Sequence, residues 1–109
     1  MHILRSELEA FREECLVGLG TVENFIQILD DWPYCPEKMS YRDELVAWTN
    51  MTLVFQHFGI TDDDFHRELN IMPIALQLWK NGVRMPRTEG IRKDLIQNLR
   101  DLLCSKVTA

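Results

Sequence analysis

The chain has 109 residues, 46% of them hydrophobic and 27% charged, with a formal net charge of −5. That is enough for one domain with its own apolar core, and no apolar run approaches the ~18 residues that a membrane span requires. The opening MHILRSELEAFREE places acids where a signal peptide needs an apolar stretch, so a cytoplasmic protein is expected.

Along residues 3–17, Ile3, Leu4, Leu8, Phe11, Cys15 and Leu16 recur at three- and four-residue steps, the pattern of an amphipathic helix. Gly18 and Gly20 end it. Thr21 can cap a second helix, whose stripe is Val22, Phe25, Ile26 and Leu29 and which closes at Asp30-Asp31-Trp32-Pro33. Trp32 to Met39, with two prolines, reads as a loop and as the candidate hinge. Ser40 is an N-cap for a third helix, with Asp43 in the capping-box position, and the helix runs to Phe58 before Gly59.

The stretch from Thr61 to Pro86 organises the rest. Thr61 and Asp64 form a capping-box pattern, and Phe65 and Leu69 share a helix face. Asn70 tolerates the left-handed backbone of a sharp turn, and Ile71 anchors that turn. Pro73 suits the first turn of the next helix. Leu76 and Trp79 face back into the first helix, and Asn81-Gly82 stops the second. This is a helix-turn-helix pattern over 61–69 and 73–81. A last helix starts near Thr88 and runs to about Cys104, with a seam of Ile91, Leu95, Leu99 or Ile96, and Leu102-Leu103. Nothing alternates as a strand. The expected fold is all-α with about six helices: an acidic helical extension over 1–39, which either folds back on the core or serves as a dimerisation or partner region, and a helix-turn-helix domain over 40–109.

Charge is unevenly placed. Residues 1–58 carry four bases and ten acids, giving −6, whereas residues 59–109 carry eight bases and seven acids, giving +1. From Lys80 to Lys106 there are seven bases against Glu89, Asp94 and Asp101. An anionic partner at that end is therefore permitted, although a basic stripe is more often a solvated helix face.

Gly59-Ile60-Thr61, Phe65, Leu69, Ile71, Leu76 and the run Trp79-Lys80-Asn81-Gly82 with Arg84 and Pro86 resemble the helix-turn-helix of the Cro/CI-like (XRE) family of bacterial and phage regulators. Ile91, Leu95 and Leu99 fit the family's next helix, so the resemblance covers roughly residues 42–104. It implies a transcriptional regulator that binds double-stranded DNA, as a homodimer on two half-sites, with helix 73–81 in the major groove. Lys80, Arg84 and Arg87 fall where the resemblance places phosphate contacts, and Arg92 and Lys93 extend that set. Of the outward residues Pro73, Ile74, Gln77 and Leu78, Gln77 alone can read a base edge by hydrogen bonds, adenine best. Ile74 and Leu78 can touch thymine methyl groups, but a large side chain such as Leu78 is more often buried.

Three features depart from the family pattern. Asp62-Asp63-Asp64 opens the first helix where a phosphate should approach. His66 stands where a small residue is usual. The outward face of Met72, Pro73, Ile74 and Leu78 is apolar, which suits a protein partner. The alternative is thus a regulator that acts by binding another protein, as an antiactivator, antirepressor or antitoxin-like partner, with the acidic front half imitating the charge of DNA.

Catalysis has little support. There is no glycine-rich phosphate loop, GxSxG or HExxH, and no cofactor is indicated. His2, His57 and His66 lack metal-ligand spacing, and Cys15, Cys35 and Cys104 form no CxxC pair. Reduced thiols are expected. Asn50-Met51-Thr52 matches a glycosylation sequon, but inside a helix it reads as a chance match.

Overall fold

The computed structural model describes residues 20–31 and 40–108, together with Ser6, Glu9, Ala10, Glu13 and Lys38. Five helices and no strand occur among them: α1 Val22–Asp31, α2 Tyr41–His57, α3 Asp62–Arg67, α4 Pro73–Lys80 and α5 Glu89–Thr108. The all-α expectation holds. The helix expected over 3–17 and the loop from Trp32 to Met39 lie outside the described residues, apart from isolated positions.

The helix starts follow side-chain chemistry. Ser40 Oγ accepts from Asp43 N–H at 3.1 Å, and Thr21 Oγ1 accepts from Asn24 N–H at 3.2 Å. Thr88 Oγ1 accepts from Ile91 N–H at 3.2 Å. Each hydroxyl satisfies an N–H that the first helical turn leaves without a partner.

α2 is the central element. Leu45, Trp48, Val54 and Phe55 are buried, and so are Thr49, Asn50 and Thr52. Those three polar side chains each donate to the carbonyl four residues back, at 2.9–3.0 Å, which offsets the cost of burying the two hydroxyls, whereas Asn50 Oδ1 has no partner among the described residues. The Asn50 amide is thus inside the fold, where no glycan could be carried.

The core collects residues from each of these five helices: Phe25, Trp48, Phe55, Phe65, Leu76, Trp79, Leu95, Leu99 and Leu103, with Ile60 from the turn after α2. Phe25 meets Phe55 edge-on at 5.0 Å, and Trp48 meets Trp79 edge-on at 5.3 Å, the geometry that aromatic quadrupoles favour. α4 packs on α2 and α3, and α1 packs on α5. The stripe of α1 is covered by this same core: Phe25 is buried, with Val22, Ile26 and Leu29 packed beside it. Arg100 of α5 holds Asp30 of α1 through two bonds of 2.7 and 2.9 Å. That hydrogen-bonded pairing holds the Asp30 carboxyl below the usual carboxylate range and raises the Arg100 guanidinium above its own.

The register of α5 corrects the sequence expectation. Its buried line is Arg92, Leu95, Leu99 and Leu103, at steps of three, four and four. Ile91, expected in the seam, is 50% exposed. The helix also continues past Cys104 to Thr108, and Cys104 is half-buried without a disulfide.

Candidate nucleic-acid interface

Residues 61–86 fold as two short helices joined by a tight turn, for reasons local to the sequence. Thr61 Oγ1 accepts from Asp64 N–H at 3.1 Å, and Asp64 Oδ2 accepts from Thr61 N–H at 2.8 Å, a complete capping box. After Arg67 the chain turns at Asn70, whose φ is 59°. Ile71 N–H then reaches back to Phe65 carbonyl at 2.9 Å. His66 Nδ1 lies 2.9 Å from Ile71 carbonyl. A carbonyl only accepts, so this nitrogen carries the proton. His66 therefore ties the turn shut from a half-buried position.

α4 ends in a Schellman motif. Val83 N–H bonds Leu78 carbonyl at 3.0 Å and Gly82 N–H bonds Trp79 carbonyl at 3.3 Å. Gly82 has φ 71°, a left-handed conformation that a side chain would disfavour. The motif directs Val83–Pro86 toward the start of α2, where Met85 packs against both the main core and the Leu45–Val46 cluster.

The acids at the start of α3 are engaged rather than left to repel. Asp62 accepts from the Gln56 amide and from Lys80 Nζ, the latter at 3.3 Å. The Gln56 bond, against the opposing effect of burial and with help from Lys80, holds the Asp62 carboxyl below its usual range. Burial pushes Asp64 up, but hydrogen bonds from Lys106 at 2.8 Å and from Thr61 outweigh it, and its carboxyl also lies low. Asp63 faces solvent, with no such clamp among the described residues.

The candidate residues fall into three groups. Leu76 and Trp79 are buried as expected, which turns Pro73, Ile74 and Gln77 outward. Met72 and Ile74 are 67% and 71% exposed, the most exposed large apolar side chains among the described residues. Leu78 is half-buried, so it is a poor candidate for reading a base or docking a partner. Arg84, Arg87 and Lys93 are exposed, whereas Lys80 is partly covered and shared with Asp62.

Arg92 is a correction. It stands in the phosphate-contact set on sequence, yet it is only 5% exposed. One guanidinium nitrogen donates to Glu44 Oε1 at 3.1 Å and another to Pro86 carbonyl at 2.6 Å. It joins α5, α2 and the segment carrying Arg84, and cannot reach a phosphate without breaking that junction. The signal was its register with Leu95, Leu99 and Leu103, which the positive charge obscured. Two residues were missed outright: Glu44, its buried partner, and Tyr41, which forms a wall of a cleft beside Arg84 and Arg87. No local pattern flags either, because each meets its neighbours across more than forty residues.

Among the described residues, no group of three or more His, Cys, Asp or Glu is placed to hold a metal ion. No helix among them is long and apolar enough to cross a membrane. Comparison with protein-family models, with curated proteins and with solved structures gives no match to the chain.

Proposed function

We propose that α3 and α4 are a helix-turn-helix of the Cro/CI-like type and that the protein is a transcriptional regulator binding double-stranded DNA. One observation carries this reading. The exposed face of α4 presents Gln77, and just past the helix end Arg84 and Arg87 are exposed, their guanidinium groups without a hydrogen bond or ion pair among the described residues. Gln77 then reads a base edge, Ile74 touches a thymine methyl group, and the two arginines with Lys93 hold phosphates. Engagement of Asp62 and Asp64 by Lys80 and Lys106 lessens the repulsion that a triple-aspartate start would bring. The functional unit is a homodimer in the cytoplasm, on paired half-sites, and has no enzymatic activity of its own.

The test is a binding comparison on a panel of duplexes. Arg84→Ala weakens binding to every sequence and lowers the salt slope by about one, while Gln77→Ala flattens the preference among sequences. Equal affinity of both variants and the parent for every duplex would sink the proposal.

A second reading rests on Met72 and Ile74, whose exposure is high for residues that contact only solvent. In it the start of α4 docks on another regulatory protein. Ile74→Asp then abolishes capture of that partner and Arg84→Ala changes it little. The reverse pattern would exclude this reading.

A further inference from the structure

The Val83–Arg87 segment and Tyr41, the first residue of α2, enclose an open cleft of about 350 Å³. That volume is at the small end of the range for small-molecule sites. Its walls combine two kinds of chemistry. Tyr41, Val83, Met85 and Pro86 offer apolar surface, and Tyr41 as a residue is 60% exposed. Arg84 and Arg87 offer two guanidinium groups that no acid among the described residues neutralises. The third arginine of the lining, Arg92, has its charge met by Glu44. Among the described residues the cleft therefore keeps two uncompensated positive charges beside an apolar wall.

The wall is also held in place. The Schellman turn fixes one end of the segment, and Arg92 donates to Pro86 carbonyl at the other. A site whose walls are fixed before binding loses less entropy on binding.

We propose that this cleft binds a small aromatic anion. A ring packs on Tyr41 and the apolar wall, and a phosphate or carboxylate on that ring is held by the fork-shaped donors of Arg84 and Arg87. The inference goes beyond the DNA reading and does not depend on it. The two share Arg84 and Arg87, so a bound ligand would compete with a duplex.

The experiment is a titration of the full chain followed by amide NMR shifts, with phenyl phosphate as probe and with inorganic phosphate and phenol as its separate halves. Phenyl phosphate is expected to give saturable shifts at Tyr41 and Val83–Arg87, with a dissociation constant near ~1 mM for so small a ligand. Each half alone is expected to bind about tenfold more weakly or worse. Arg84→Ala is expected to weaken phenyl phosphate about tenfold, Tyr41→Leu several-fold, and Arg67→Ala, which removes an exposed charge from α3, not at all. Arg84 and Tyr41 are exposed, and the amide spectrum of each variant verifies its fold.

Shifts spread over all basic residues would overturn the proposal. So would equal binding of inorganic phosphate, or an equal loss with Arg67→Ala. A labelled duplex in parallel separates the two claims. Phenyl phosphate binding without duplex binding supports the cleft and rejects the DNA reading. Duplex binding without phenyl phosphate binding rejects the cleft and leaves the DNA reading intact.

Discussion

At the junction of α2, α5 and the Val83–Pro86 segment, Arg92 is buried and shared between Glu44 and a backbone carbonyl. On the outer side of that same segment, the Arg84 and Arg87 guanidinium groups stand in solvent with no partner among the described residues. One residue type serves as an internal strut and as an external contact within a few positions of chain. The same division runs through α4, where Leu76 is fully buried and Ile74 projects into solvent. Role follows from what surrounds a side chain, and a count of basic residues between Lys80 and Lys106 overstates the charge available to a partner.

The comparison is most easily broken at Arg92. Arg92→Ala takes the buried guanidinium away from the Glu44 carboxylate and is expected to cost about 3–5 kcal/mol in urea unfolding. Replacing both members together, Glu44→Leu with Arg92→Met, is expected to recover most of that loss. Arg84→Ala is expected to fall within about 0.5 kcal/mol. Equal costs for Arg84→Ala and Arg92→Ala would erase the distinction.

On α4, Leu76→Ala is expected to cost about 2–5 kcal/mol by opening a cavity in the core. Ile74→Ala is expected to stay within about 0.5 kcal/mol, read from the same unfolding midpoints. A smaller effect comes from Thr61→Ala, which removes half of the capping box and is expected to cost about 1 kcal/mol.

The smallest effect is a pH dependence. Asp62 and Asp64 have folded-state pKa values below the ordinary aspartate value. Their contribution to stability is complete above the unfolded pKa of about 3.9 and is lost as pH falls through the lower folded values. Urea midpoints measured from about pH 6 down to about pH 2 should therefore hold until about pH 4 and fall below it. Asp64→Asn should fall less steeply, and an identical slope would show that neither Lys106 nor Thr61 stabilises the Asp64 carboxylate in solution.

What was legible in the sequence was governed by local rules. Thr61, Asp64, Asn70 and the Asn81-Gly82 stop follow from capping and left-handed backbone preferences, and each appears in place. Phe65, Leu76 and Trp79 follow from helical spacing. The register of α5 was not legible, because Ile91 is the more apolar residue and Arg92 the more polar. The Glu44 carboxylate, 48 positions away, and the Pro86 carbonyl make the buried register favourable. The stripe of α1 was legible, but its cover was not: Phe55 and Phe58, which meet Phe25, are distant in sequence. The Tyr41 cleft depends on two segments that only the fold brings together.

The central claim is that α4 and the exposed arginines beyond it dock on DNA. The most direct measurement is fluorescence anisotropy of a labelled mixed-sequence duplex at about 50 and 200 mM salt, with Arg84→Glu alongside. The expected result is a dissociation constant in the range of about 1–100 μM near physiological salt, much tighter at the low salt, and lost on charge reversal. Absence of binding at about 50 mM salt, or binding unchanged by Arg84→Glu, would contradict it.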